Sequence, residues 1–217
     1  MQKLKKINEM YDKMQDQYGS DQLNAIYSSG YLVNPDICFI FMNPTGRNIA
    51  ASKTWKGYRF PWIGTKNIWK LFDQLNLIDH DLFLEIQARR GSEWDEVFVS
   101  QVYENILKHR YYITNLAKCT QLDARPLPDD VYKEYLTLLY QEIDLIQPKK
   151  IVTFGNQISS IFLDQPISVS QCRRKKFLKQ IGQHIYPVYP VYYPVGNGMR
   201  NIDKAIIDLQ FILDSGE

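Results

Sequence analysis

The sequence predicts an α/β fold, a three-layer α/β/α sandwich around a mostly parallel four-stranded sheet, in a single domain over residues 1–217. Three observations predict it. Short apolar runs alternate along the chain with amphipathic stretches of helical period, the pattern of strand–helix–strand units. The first run, Ile37-Cys38-Phe39-Ile40-Phe41-Met42, is apolar at every position, as a strand covered on both faces must be. No internal repeat or low-complexity linker interrupts the alternation.

Each element follows from local pattern. Leu4, Ile7, Tyr11, Met14 and Tyr18 recur at three- and four-residue spacing and predict an N-terminal helix over 1–19, ended by Gly19-Ser20. Asn34-Pro35-Asp36 is a turn signal before the first strand, which stops at Asn43-Pro44-Thr45-Gly46. An irregular segment runs from Arg47 to Ile63, and a helix opens at Gly64-Thr65, with Thr65 as N-cap and Ile68, Leu71, Phe72 and Leu75 as its apolar stripe. Ser92-Glu93-Trp94-Asp95 resembles a capping box for the next helix, with Trp94, Val97, Phe98 and Val102 on one face. Tyr111 to Leu116 reads as the second strand. Pro126-Leu127-Pro128 is a stop, and a helix runs from Asp129 through Val131, Tyr135, Leu138, Leu139 and Ile146. Lys150 to Gly155 is the third strand and turns through Asn156 into a short helix ending at Leu163. Residues 165–182 form a polar insertion with the basic core Arg173-Arg174-Lys175-Lys176. Ile185 to Tyr193 is extended, and Pro187 and Pro190 mark it as an edge or interrupted strand. After the loop Tyr193 to Gly198, the last helix carries Ile202, Ala205, Ile206, Leu209 and Leu213.

Composition excludes several classes. Hydrophobic residues at 45% supply a core, which rules out a wholly disordered chain. Lys+Arg is 26 against Asp+Glu 24, so any nucleic-acid binding must come from a local basic patch and not from net charge. Three widely spaced cysteines, Cys38, Cys119 and Cys172, form no C-x-x-C and exclude a disulfide framework and a four-cysteine metal site within one chain. The longest apolar run is far short of the about 20 residues a membrane helix needs. Met1-Gln2-Lys3-Leu4-Lys5-Lys6 leads into a polar helix pattern and not into an apolar signal segment. The expectation is a soluble, cytoplasmic protein with no membrane contact. His80, His109 and His184 are scattered without a metalloprotease pattern, no G-x-S-x-G elbow occurs, and Gly64-Thr65-Lys66 lacks the preceding glycine of a P-loop.

In an open parallel sheet, ligands bind beyond the carboxyl ends of the strands. Three polar loops lie at such ends: after Met42, at Asn115 and after Tyr193. Asn43 can hold a water but not deprotonate one, because an amide is neutral across the working pH range. That suits a reaction whose carbon is already becoming cationic, such as glycosidic C–N cleavage through an oxocarbenium-like transition state. Asn115 offers a donor and an acceptor together, as reading a pyrimidine edge requires. Trp62 offers a flat face, and stacking a base contributes about 1–3 kcal/mol. Gly64 and Thr65 at a helix start, and Gly196, Asn197 and Arg200 at another, are candidate phosphate contacts. Arg173 and Arg174 in the basic insertion can strengthen binding to a polyanion. Alone, each has an ordinary and commoner reading: a turn-starting Asn, a loop-closing Asn, a core Trp, a solvated basic face.

Taken in order, the pieces resemble the uracil-DNA glycosylase superfamily. Phe39 to Gly46 looks like its first motif, in the Asn-Pro version of the mismatch-specific branch. Phe60-Pro61-Trp62-Ile63-Gly64 resembles the segment that supplies the stacking aromatic, with Trp62 in place of Phe. Tyr112 to Cys119, followed by Arg125-Pro126, resembles the strand carrying the base-reading Asn. Pro148 to Asn156 resembles the next strand, and Tyr193 to Arg200 stands at the place of the final His-Pro-Ser-type loop. The resemblance covers roughly residues 36–213. Two departures stand out: Phe41 where the family usually has Gly, and Tyr193 where active members often have His.

The resemblance implies a monofunctional DNA glycosylase of base excision repair that removes uracil or a related damaged base. The implied partner is DNA carrying uracil or a deaminated or mismatched base, and the expected unit is a monomer. Trp62, Asn115 and Met42 would bind the base, Asn43 would hold the attacking water, and Tyr193 would donate to the leaving base. The iron–sulfur branch needs two N-terminal cysteines and one near Tyr132; neither exists here, so no cluster, metal or other cofactor is expected. Without a general base the enzyme should be slow. The departures at Phe41 and Tyr193 carry the alternative of a weak or inactive nucleic-acid- or nucleotide-binding member of the same fold. An enzyme acting on free nucleosides ranks lower, because the basic residues suit a polyanion better.

Overall fold

The computed structural model describes residues 2–215, apart from the side chain of Asn197. The described strands are β1 (Ser29–Gly30), β2 (Ile37–Phe41), β3 (Tyr111–Asn115), β4 (Ile151–Phe154), β5 (Phe177–Ile181) and β6 (His184–Val191). The helices are α1 (Gln2–Tyr18), α2 (Asn67–Gln74), α3 (His80–Ala88), α4 (Glu96–Lys108), α5 (Asp129–Ile146), α6 (Asn156–Leu163) and α7 (Ile202–Asp214). One sheet has the order β1-β3-β2-β4-β6-β5. Its inner strands β3, β2, β4 and β6 are mutually parallel, and β1 and β5 close the two edges antiparallel.

The inner strands are the four that apolar patterning predicts. Along them, successive side chains divide strictly between two cores. Phe39, Phe41, Ile113, Val152 and Phe154 pack with Trp69 and Phe72 of α2, Phe98 and Val102 of α4 and Leu209 of α7. Cys38, Ile40, Tyr112, Ile151 and Val188 pack on the other face with Tyr11 of α1, Tyr135 and Leu139 of α5 and Phe162 of α6. Helices on both faces leave the centre of the sheet no wet side, which is why β2, β3 and β4 are buried at every residue.

Several local expectations are corrected. β6 is an inner strand despite its prolines. Pro187 precedes its first β4 pair, Ile151↔Val188, and Pro190 lies beyond its last β5 pair, Phe177↔Val188. The Val191 carbonyl accepts from Gly155 N, so by alternation Pro187 faces β4 before that pairing starts and Pro190 faces β5 after it has ended. Neither missing N–H leaves a ladder position empty. The 165–182 segment is not simply a polar insertion, since it supplies edge strand β5. The N-cap of α4 is Asp95, whose side chain accepts from Phe98 N at 2.7 Å, and Val97 faces solvent. Thr65 does not cap α2, which begins at Asn67; its hydroxyl turns back to the Trp62 carbonyl at 2.8 Å.

Between α5 and β3 lies a charge centre closed off from the surface. Glu142 and Lys118 are wholly buried and 3.1 Å apart. Glu142 also accepts from the hydroxyls of Tyr11 (2.8 Å), Tyr112 (3.0 Å), Thr114 (2.9 Å) and Ser28. Burial pushes its carboxyl up, but the Lys118 ammonium and the Ser28 and Tyr11 hydroxyls outweigh burial and hold it below its ordinary range. Lys118 Nζ reaches on to the Asn115 carbonyl at 2.6 Å, so this centre fixes the carboxyl end of β3.

Candidate active site

The carboxyl ends of β2 and β3 are in register, Phe41 beside Asn115. The loops beyond them are stitched together by backbone bonds from Ala117 N to Met42 O (3.2 Å), Gln121 N to Pro44 O (3.1 Å) and Gly46 N to Gln121 O (2.8 Å). These loops, the Pro61–Asn67 turn and the loop after β6 surround a cleft of about 600 Å³. Met42, Asn43, Trp62, Thr65, Asn115, Tyr193 and Gly196, all singled out in the sequence, line it.

Asn115 is 2% exposed, and its Nδ2 has no hydrogen-bond partner in the protein. A buried amide donor left empty costs about 1–3 kcal/mol, and this one stands at the cleft wall. Asn43 is held differently. Its Oδ1 accepts from the Tyr132 hydroxyl at 2.7 Å, and its Nδ2 donates to Pro44 O at 3.3 Å.

Trp62 has φ +77°, a left-handed backbone that a bulky residue adopts only under constraint. The constraint is visible. Its carbonyl accepts from Thr65 N (3.1 Å), Thr65 Oγ1 (2.8 Å) and Trp69 Nε1 (3.3 Å). Gly64, at φ +79°, makes the same tight turn, and a Cβ there would press on Ile49. The turn stands the Trp62 ring edge-to-face on Phe41, with centroids 5.0 Å apart, and Phe41 in turn stacks on Phe154 at 4.4 Å. Phe41 therefore backs the aromatic wall from within the core.

Tyr193 meets Phe41 edge-on, with ring centroids 6.5 Å apart. Burial pushes its phenol well above the ordinary range, so it stays protonated and able to donate. The loop after it needs Gly198, because a Cβ there would collide with the Tyr193 carbonyl oxygen.

The remaining sequence candidates lie elsewhere. Gly64 shapes the turn beneath Ile49 and does not line the cleft. Arg200 is exposed on the turn before α7, outside the cleft lining. The side chain of Asn197 lies outside the described residues. Arg173 and Arg174 do not reach the cleft; both guanidinium groups bond the fully buried Asp208 carboxylate of α7, at 2.9 and 3.1 Å. Four side chains near the cleft escape sequence reasoning: Arg47 and Lys66 on its wall, and Tyr132 and Lys118 behind Asn43 and Asn115. Their partners are set by tertiary contact, and no local motif marks them.

Among the described residues the lining contains two cations and no carboxylate or imidazole. The described residues hold no group of three or more His, Cys, Asp or Glu placed to bind a metal ion, and no helix is long and apolar enough to cross a membrane. Such a cleft can stack a flat ring, hydrogen-bond its edge, attract a phosphate and hold a water that it cannot deprotonate. The family model described as the Uracil DNA glycosylase superfamily matches residues 30–207. That match spans most of the chain, including every wall of the cleft, and the protein belongs to the uracil DNA glycosylase superfamily.

Proposed function

We propose that the protein is a monofunctional DNA N-glycosylase that hydrolyses the bond between deoxyribose and uracil, or a related damaged base, and that Asn43, Trp62, Asn115 and Tyr193 carry the reaction. One observation carries this reading: side chains 150 residues apart along the chain, from Asn43 to Tyr193, meet in one cleft beside an unpartnered buried amide donor. The target nucleotide leaves the duplex, at a cost of a few kcal/mol in unstacking. Its base slides against Trp62, and Asn115 donates from Nδ2 to a ring carbonyl. The C1′–N bond breaks with its electron pair leaving on the base, and the Tyr193 hydroxyl donates a hydrogen bond to the anion. The sugar becomes oxocarbenium-like, and the water held by Asn43 Oδ1 adds through its oxygen to C1′. That water then releases a proton to solvent, and the departed base takes one up. The net change is one water consumed, one abasic sugar and one free base formed. Arg47 and Lys66 support the phosphates beside the flipped nucleotide.

A second reading, base binding without cleavage, is favoured by one feature: no carboxylate or imidazole lines the cleft among the described residues. A gel assay for abasic sites on uracil-, hypoxanthine- and mismatch-containing duplexes separates the two. Abasic product on at least one of them supports the glycosylase; retarded duplex with no product on any supports the binding module. Turnover of free deoxyuridine without DNA would transfer the activity to nucleosides.

A further inference from the structure

Tyr132 belongs to α5 and is fully buried, and its ring packs in the same core as the other tyrosines of that helix. Its hydroxyl is set apart by where it ends. It donates to Asn43 Oδ1 at 2.7 Å and accepts from the Leu127 backbone N–H at 3.4 Å. The first bond has the usual length of a well-formed hydroxyl-to-oxygen bond; the second is at the long limit. Asn43 Nδ2 is occupied at the same time by the Pro44 carbonyl, 3.3 Å away.

The amide torsion of Asn is broad and nearly two-fold, so an unrestrained Asn43 would turn its oxygen or its nitrogen to the cleft with similar ease. The two ends do opposite things to a water. Oδ1 accepts a water proton and leaves the water's lone pair free to face a carbon. The NH2 end donates into that lone pair and turns it away. With Leu127 N–H on its oxygen, the Tyr132 phenol has its proton to give, and only Oδ1 can take it. One lone pair of Oδ1 is then filled from behind and the other remains for water.

We propose that Tyr132 is a positioning residue for the hydrolytic water, acting by locking the orientation of the Asn43 amide. This rests on the glycosylase reading above. Tyr132→Phe keeps the ring and its volume and removes only the hydroxyl. Single-turnover excision on a uracil duplex is expected to slow roughly fivefold to tenfold, the value of one hydrogen bond, with affinity for an abasic duplex unchanged. The double variant Asn43→Ala/Tyr132→Phe is expected to be no slower than Asn43→Ala alone, because the two act as one unit. A wild-type rate in Tyr132→Phe overturns the proposal. So do additive losses in the double variant, which would place the effect on Leu127 or the fold. If the wild-type protein excises no base, the glycosylase reading fails separately, and the lock is read without turnover. In ¹⁵N-resolved NMR, the Asn43 side-chain NH2 pair, assigned by its absence in Asn43→Ala, is expected to shift in Tyr132→Phe. An unmoved pair overturns the lock.

Discussion

On the glycosylase reading proposed above, Asn115 is a side chain that costs stability and serves the reaction. Its Nδ2 is buried with nothing to bond, so the folded chain gains nothing from it. Asn115→Leu, which keeps the bulk and removes the polar atoms, should therefore hold or raise the urea midpoint while excision falls about 10²-fold, the usual loss for one buried donor at a reacting group. A falling midpoint with an unchanged rate would make Asn115 a structural residue. Trp62 follows the same logic in its backbone, where the left-handed turn costs about 1–3 kcal/mol and sets an indole face on the cleft. Asn43, Trp62, Asn115 and Tyr193 were legible because strand ends and turn residues leave a local signature. Tyr132, Lys118 and Glu142 were not, because a tyrosine, a lysine and a glutamate at ordinary positions acquire their meaning only from partners up to 131 residues away.

Among elements, α5 and β3 depend on each other through the Glu142–Lys118 centre. Glu142→Gln leaves the Lys118 charge buried without its counter-ion and should cost about 3–5 kcal/mol, read as a shift of the denaturant midpoint. The pH dependence has a definite sign. The folded Glu142 carboxyl lies below its ordinary 4.5, so its contribution is complete above that value and is lost as acid carries the pH down through the lowered folded value. Melting temperature should fall over that acid range in the wild type, and that part of the loss should be missing in Glu142→Gln. The sequence announced the inner strands because continuous apolar runs have few other uses. It did not announce β1, two residues long, or β5, whose alternating burial is hidden among lysines and arginines. It misjudged β6 because proline is harmful only where a neighbour is waiting for its N–H, and pairing is not visible in one strand.

For the whole molecule the net charge of +2 decides little, and the distribution decides more. Arg47 and Lys66 line the cleft, Lys66 Nζ also donating to the Gln87 carbonyl, whereas Arg173 and Arg174 of the basic run are paired with the Asp208 carboxylate. Duplex affinity should fall log-linearly with salt. Arg47→Ala should reduce that slope by about 1. Arg173→Ala should leave the slope unchanged and lower stability, because it removes a partner of a buried carboxylate. The reverse pattern would move the DNA path from the cleft to β5 and α7.

The most direct measurement is the single-turnover rate of abasic-site formation on a uracil duplex by the wild-type protein and by Asn43→Ala, beside their affinities for an abasic duplex. The pair also separates this protein's own chemistry from a contaminating glycosylase, which would cleave equally in both samples. A wild-type rate about 10²-fold above that of Asn43→Ala, with equal abasic-duplex affinities, is the result predicted by a water held at β2's end. Equal rates in the two proteins, or no abasic sites from either, would contradict it.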